Sequence, residues 1–147
     1  NLAIVVLSVL LIWAVGFSTF LAVQLPILLL AGAGGIWLFY VQHQFEDTHW
    51  SDGSEWKFQD AALHGSSHYD LPGFLRWMTG NIGIHHVHHL SSRVPFYRLP
   101  EVLRDFPELF DMSRITIAES IKCVKLVLWD EESRRLVSFR EAGRLTV

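Results

Sequence analysis

Leu25-Pro26-Ile27-Leu28-Leu29-Leu30-Ala31-Gly32-Ala33-Gly34-Gly35-Ile36-Trp37-Leu38-Phe39-Tyr40-Val41-Gln42-His43 is an apolar, uncharged stretch that ends on a histidine. It continues a longer run. From Asn1 to Phe45 there is no Asp, Glu, Lys or Arg, and the first charge is Glu46. As one helix such a run would extend about 60 Å, roughly twice the ~30 Å hydrocarbon core of a bilayer. It is therefore expected to fold back as two spans, Leu2–Phe20 and roughly Leu25–Tyr40, with the break near Gln24 and Pro26. Gly32, Gly34 and Gly35 permit close helix contact in lipid. The alternative, a buried hairpin of a soluble protein, needs more covering chain than remains.

Charge fixes an orientation. All 12 basic residues lie at Lys57 or later, so the turn is expected outside and the polar part in the cytoplasm. The expected fold class is an all-α integral membrane protein, multi-pass, with a helical hairpin followed by a mostly helical cytoplasmic cap. Its parts are 1–42 (two transmembrane helices), 43–112 (a histidine-rich region) and 113–147 (an amphipathic helix and tail). Trp37, Tyr40 and Trp50 suit an interfacial aromatic belt. The net charge of −3 offers no case for nucleic acid as a partner. The single cysteine, Cys123, excludes an intrachain disulfide framework and reads as a packed thiol. The amino-terminal run is too long for a signal peptide and has no basic flank. Its start inside an apolar element, without methionine, suggests part of a longer protein.

Within the polar part, Ser54–His64 reads as a short amphipathic stretch and Ser66–Asp70 as a loop. Pro72 suits the first turn of a helix over Leu71–Thr79, closed by Gly80. Ile82–Leu90 is the next helix. Pro95, Pro100 and Pro107 divide the following segment into short turns. Thr116-Ile117-Ala118-Glu119 is a capping-box pattern for a helix to about Trp129. Arg135–Arg140 alternates as a short strand does.

All eight histidines lie between His43 and His89. Neutral imidazole is a ligand for iron, zinc, copper and nickel. At 3.6 residues per turn, His85, His88 and His89 share a helical arc of about 100°, so one face offers three nitrogens to a metal. A solvated polar face would also tolerate them, but then Lys or Arg should share it. His43 is the fourth candidate, because a polar group at the end of a span needs a partner or a task. His86 lies outside the arc and is expected to hydrogen-bond or pack. His49 reads as a ligand or an exposed loop residue, and His64 as surface. Asp47, His68, Asp70 and Asn81 are candidates for orienting a ligand by hydrogen bonds, with a loop charge or helix cap as their plainer roles. No HExxH motif or nucleophile elbow is present. Beyond the metal ligands no catalytic residue, and no organic-cofactor site, is read.

Three segments carry a resemblance. Val41-Gln42-His43-Gln44-Phe45-Glu46-Asp47-Thr48-His49-Trp50, Ser67-His68-Tyr69-Asp70-Leu71-Pro72 and Gly80-Asn81-Ile82-Gly83-Ile84-His85-His86-Val87-His88-His89-Leu90 together resemble the carboxy-terminal half of membrane fatty acid desaturases. The likeness is to the bacterial acyl-lipid Δ12 (ω-6) branch and runs over roughly residues 37–97. It implies a non-haem di-iron centre held by histidines, with His85, His88 and His89 as the third histidine box and His43 as the isolated ligand after a transmembrane helix. It further implies O2-dependent insertion of a cis double bond into a fatty acyl chain, carried as acyl-lipid or acyl-CoA. Electrons would come from ferredoxin or a cytochrome b5-type donor. The first two boxes have no counterpart, since no histidine precedes His43, so this stretch alone would be inactive. A related membrane hydroxylase or ketolase, and a non-catalytic membrane metal-binding or transport protein, are the alternatives. For Phe74, Leu75 and Trp77, lining an acyl channel and plain core packing are both open.

Overall fold

The computed structural model describes residues 1–145; the last two residues of the expected tail, Thr146 and Val147, lie outside the described residues. The chain divides into two compact units, Asn1–Trp37 and Leu38 onward.

In the first unit, α1 (Leu2–Val15) and most of α2 (Phe17–Val41) are apolar on every side. No residue of α1 is buried, and Val41 is the only buried residue of α2. A helix with no polar face and nothing packed on it is suited to lipid. At 25 residues, α2 is about 37 Å long and can cross the ~30 Å core. It is the one helix among the described residues long and apolar enough to do so, and α1 is shorter. The break expected at Gln24–Pro26 is therefore corrected. Pro26 lies inside α2; its φ is helical, and only one backbone bond is lost. The helical run is interrupted instead at Gly16, whose φ of 85° is open to glycine at little cost.

The second unit begins with the last turn of α2. Then come α3 (Phe58–His64), β1 (His68–Asp70), α4 (Gly73–Met78), α5 (His85–Leu90), α6 (Leu99–Asp105), β2 (Arg114–Thr116), α7 (Ile117–Cys123), β3 (Leu128–Asp130), β4 (Arg135–Val137) and α8 (Phe139–Leu145). Short 3-10 turns occupy Phe96–Arg98 and Pro107–Leu109, as the prolines suggest. The all-α expectation needs amendment, because two two-stranded sheets are present among the described residues. β1 pairs parallel with β2, with Tyr69 opposite Ile115. The Ser66–Asp70 segment is thus partly strand, its partner more than forty residues away. β3 and β4 form an antiparallel pair, with Trp129 opposite Leu136.

The capping box at Thr116 and Glu119 forms as read, but α7 stops at Cys123 rather than near Trp129. Cys123 is buried, as a packed thiol should be, while Ile117, Ile121 and Val124 are exposed. The Tyr40 hydroxyl lies 3.1 Å from the Leu126 carbonyl and 3.3 Å from that of Cys123. Ile84, Val87, Leu99 and Leu103 form a core on which Val94, Val102 and Leu109 pack. That core seats α5 on α6, while α3 packs against another side of α5.

Candidate metal centre

Two segments bring the histidines together. Gln42, 2% exposed, donates its side-chain amide to the Ile82 carbonyl at 2.8 Å, and its own carbonyl accepts the Ser67 N–H at 3.0 Å. The end of α2 is thereby tied to the loop before β1 and to the approach to α5. His43 follows at once. Its Nδ1 lies 2.8 Å from the Phe39 carbonyl. A carbonyl only accepts, so Nδ1 carries the proton and Nε2 keeps its lone pair.

That Nε2 faces Nε2 of His89 at 3.3 Å, and Nε2 of His89 faces Nε2 of His85 at 3.0 Å. His43, His85 and His89 form a group whose ligand atoms all lie within 4.8 Å of one another. Three converging nitrogens repel unless a proton or cation sits among them. At a metal–nitrogen length of about 2.1 Å, neighbouring ligands are about 3.0 Å apart at right angles and about 3.4 Å apart in a tetrahedron. The His43–His89 and His85–His89 spacings fall in that range, so the trio could hold a metal ion. Its burial is graded: His85 is buried, His43 half-buried and His89 exposed. Burial, then the neighbouring His89, His43 and His88, pushes the His85 imidazole down to about 3. His89 is lowered by burial, then by His43 and His88. Both are neutral at physiological pH, the form that binds metal. Nδ1 of His85 is buried without a hydrogen-bond partner among the described residues.

His88 stacks on His85 with ring centroids 5.7 Å apart but is not a member of the trio among the described residues. The expectation of one helix face around one ion is thus divided: His85 and His89 meet His43, and His88 stands to the side.

The candidates for orienting groups fall differently. Asp47 is exposed and bonds to none of the four histidines among the described residues. Asp70 bonds to Arg76 at 3.1 Å and to Arg114 rather than to a histidine. Asn81 has a φ of 56° and donates its amide to the Phe96 carbonyl at 2.9 Å. It is not the cap of α5, where Ile84 sits. His68 and His86 are buried at 1% and 0% exposure. His64 is exposed. The sequence pattern does not single out Gln42 or the Phe39 carbonyl as site groups; an amide closing an apolar run is the one signal it offers for Gln42.

A cavity of about 440 Å³ adjoins His43, within the size range of small-molecule sites. Trp50, Trp56, Trp129, His49 and Thr48 are among its walls. Phe74 and Trp77 line no part of it and stand exposed.

The sequence profile of the fatty acid desaturase family matches residues 1–120. Over all 147 residues the chain is 45% identical to a fatty acid desaturase of Bacillus subtilis, and it spans 42% of that protein's length. Over 59 residues, 40% of the chain, it is 32% identical to the chloroplastic omega-6 fatty acid desaturase of Brassica napus, covering 13% of it. Over 68 residues, 46% of the chain, it is 38% identical to a sphingolipid delta(4)-desaturase/C4-monooxygenase of Homo sapiens, covering 20% of it. No solved structure matches.

Proposed function

The chain belongs to the fatty acid desaturase family, and on that premise we propose that it supplies the carboxy-terminal ligand set of a di-iron enzyme that inserts a cis double bond into a fatty acyl chain. The convergence of Nε2 of His43, His85 and His89 carries this reading. His88, set apart from that trio, is assigned to the second iron. The remaining ligands come from segments outside this chain, since it spans 42% of its Bacillus relative.

Iron held by these histidines would supply the redox chemistry that, with O2, removes two hydrogens from adjacent methylenes. Per turnover, O2, two electrons and two protons are consumed, and one double bond and two waters are formed. The chain's own groups do the positioning. Phe39 holds the tautomer of His43, Gln42 fixes its place beside α5, and burial keeps His85 neutral. The cavity beside His43 is the space offered to the acyl chain, with tryptophan walls and a polar edge. The substrate is an acyl-lipid or acyl-CoA, and the electron donor is ferredoxin or a cytochrome b5-type protein. On this reading the enzyme is a multi-pass membrane protein with the histidines at the cytoplasmic face; the uncharged run before Glu46 and the confinement of basic residues to Lys57 and beyond support it.

A hydroxylating outcome is the second reading, favoured by one observation: the human relative's name joins desaturase and monooxygenase. Expression of the full-length enzyme in cells, with lipid extraction and mass spectrometry, separates the two. A product two hydrogens lighter establishes desaturation, whereas an added oxygen establishes the second reading. Unchanged unsaturated product after His85→Ala would overturn the ligand assignment.

A further inference from the structure

We infer that His86 and His68, which hold no metal, form a clamp that sets the roll of α5 and hence the aim of its ligand histidines. The inference rests on the reading of His43, His85 and His89 as a metal trio.

The helix needs such a device. It has six residues and no side-chain cap at its N-terminus. Groups about 6 Å from a helix axis move about 1 Å for each 10° of roll, and ligand sites require placement to within about 0.5 Å.

His86 lies next to His85 on the helix and about 60° beyond His89 around the axis. It is fully buried and its ring packs beside His68. Its Nε2 lies 2.9 Å from the Leu109 carbonyl. His68, on β1, places Nδ1 2.6 Å from the carbonyl of Phe110, the very next residue. Each carbonyl accepts, so His86 carries its proton on Nε2 and His68 on Nδ1. The two rings lie side by side, centroids 5.5 Å apart, and the Phe110 ring meets His68 edge-on at 5.2 Å. One peptide segment is therefore gripped from both the ligand helix and the neighbouring strand. The strand is anchored in turn: the His68 N–H donates to the Ser113 carbonyl at 2.9 Å, and His68 bridges to Ile84, the residue before α5. An apolar side chain at either position would fill the space but leave a carbonyl without its donor.

The opposite tautomers give a crossed test. A glutamine amide reaches where histidine Nε2 stands, and an asparagine amide where Nδ1 stands. His86→Gln, His86→Asn, His68→Asn and His68→Gln are made in the full-length enzyme, which is loaded with Co2+. Affinity is read by chelator competition and ligand geometry by the visible d–d bands. The clamp predicts that His86→Gln and His68→Asn keep near wild-type affinity and spectrum. His86→Asn and His68→Gln should weaken binding by about tenfold or more and shift the bands. A role in packing alone predicts no crossing, so equal behaviour within both pairs overturns the inference. His85→Ala is the control. If it leaves Co2+ binding intact, the metal reading itself fails; if it abolishes binding while the crossing is absent, only the clamp fails.

Discussion

Nε2 of His43, just past the end of α2, lies 3.3 Å from Nε2 of His89 on α5, and the two residues are 46 positions apart in the chain. One residue belongs to the end of an apolar helix and the other to a short polar one. If they share an ion, losing either should have the same consequence. His43→Ala and His89→Ala in the full-length enzyme are each expected to lower bound iron by about tenfold or more at limiting metal, at least what losing an orienting partner costs. Iron per chain, measured by elemental analysis after purification, tests this. Wild-type iron content in His43→Ala would remove that residue from the site.

Gln42 joins the two halves of that relationship. Its amide satisfies the Ile82 carbonyl and its carbonyl accepts from Ser67, with Gln42 and Ser67 themselves buried. Gln42→Leu keeps similar bulk but leaves Ile82 without its donor, at a cost of about 1–3 kcal/mol. The expected outcome is a lower thermal midpoint in detergent and weaker iron retention. The substitution tests the tie directly, because a midpoint and an iron content equal to wild type would show that the end of α2 is held by other contacts.

Gly83 sits two residues before the first ligand of α5. A Cβ built there would stand 2.4 Å from the Tyr69 carbonyl oxygen, while the Gly83 carbonyl accepts the Tyr69 N–H at 2.7 Å. The obstructing atom is backbone, so β1 and the approach to α5 must separate. Gly83→Ala is expected to destabilise the protein by about 1–3 kcal/mol, the usual range for overpacking. Gly73→Ala, where nothing lies within 4 Å, is the comparison. Equal midpoints for the two variants would mean that β1 yields at no cost.

The trio was legible because helical spacing alone puts His85 and His89 on one side, and because a histidine closing an apolar run is costly without a partner. The separation of His88 from that trio was not legible, since spacing gives direction around one helix and nothing about the helix opposite. Nor was the strand at His68–Asp70. Three residues carry no reliable alternation, and the partner at Arg114–Thr116 is distant in sequence. The break near Pro26 was misplaced because proline is a breaker only where its lost bond and ring matter. α7 ended early for a tertiary reason: Val124 to Leu128 contains no breaker, but pairing of β3 with β4 claims the chain beyond it.

Asp70 carries the last prediction, one of pH. Its carboxylate accepts from Arg76 at 3.1 Å and from Nε of Arg114 at 3.1 Å, tying α4 and β2 to the strand that holds His68. Burial acts to raise its pKa, but the Arg114 hydrogen bond and charge, helped by His68 and Arg76, outweigh it and leave the group below the ordinary carboxylate range. The folded value is thus below the unfolded one, about 3.9. The stabilisation is therefore complete above about pH 4 and is lost as pH falls through the folded value. Water reaches Arg114, whose side chain is 38% exposed, so the pair is screened and its contribution is small. Asp70→Asn should lower the thermal midpoint at pH 7, and the difference from wild type should shrink as pH drops below about 4, where the wild-type carboxylate protonates too. High salt should narrow the gap at pH 7 for the same reason. A gap between the two proteins that stays constant from pH 7 to pH 3 would show that Asp70 acts through packing and not through its charge.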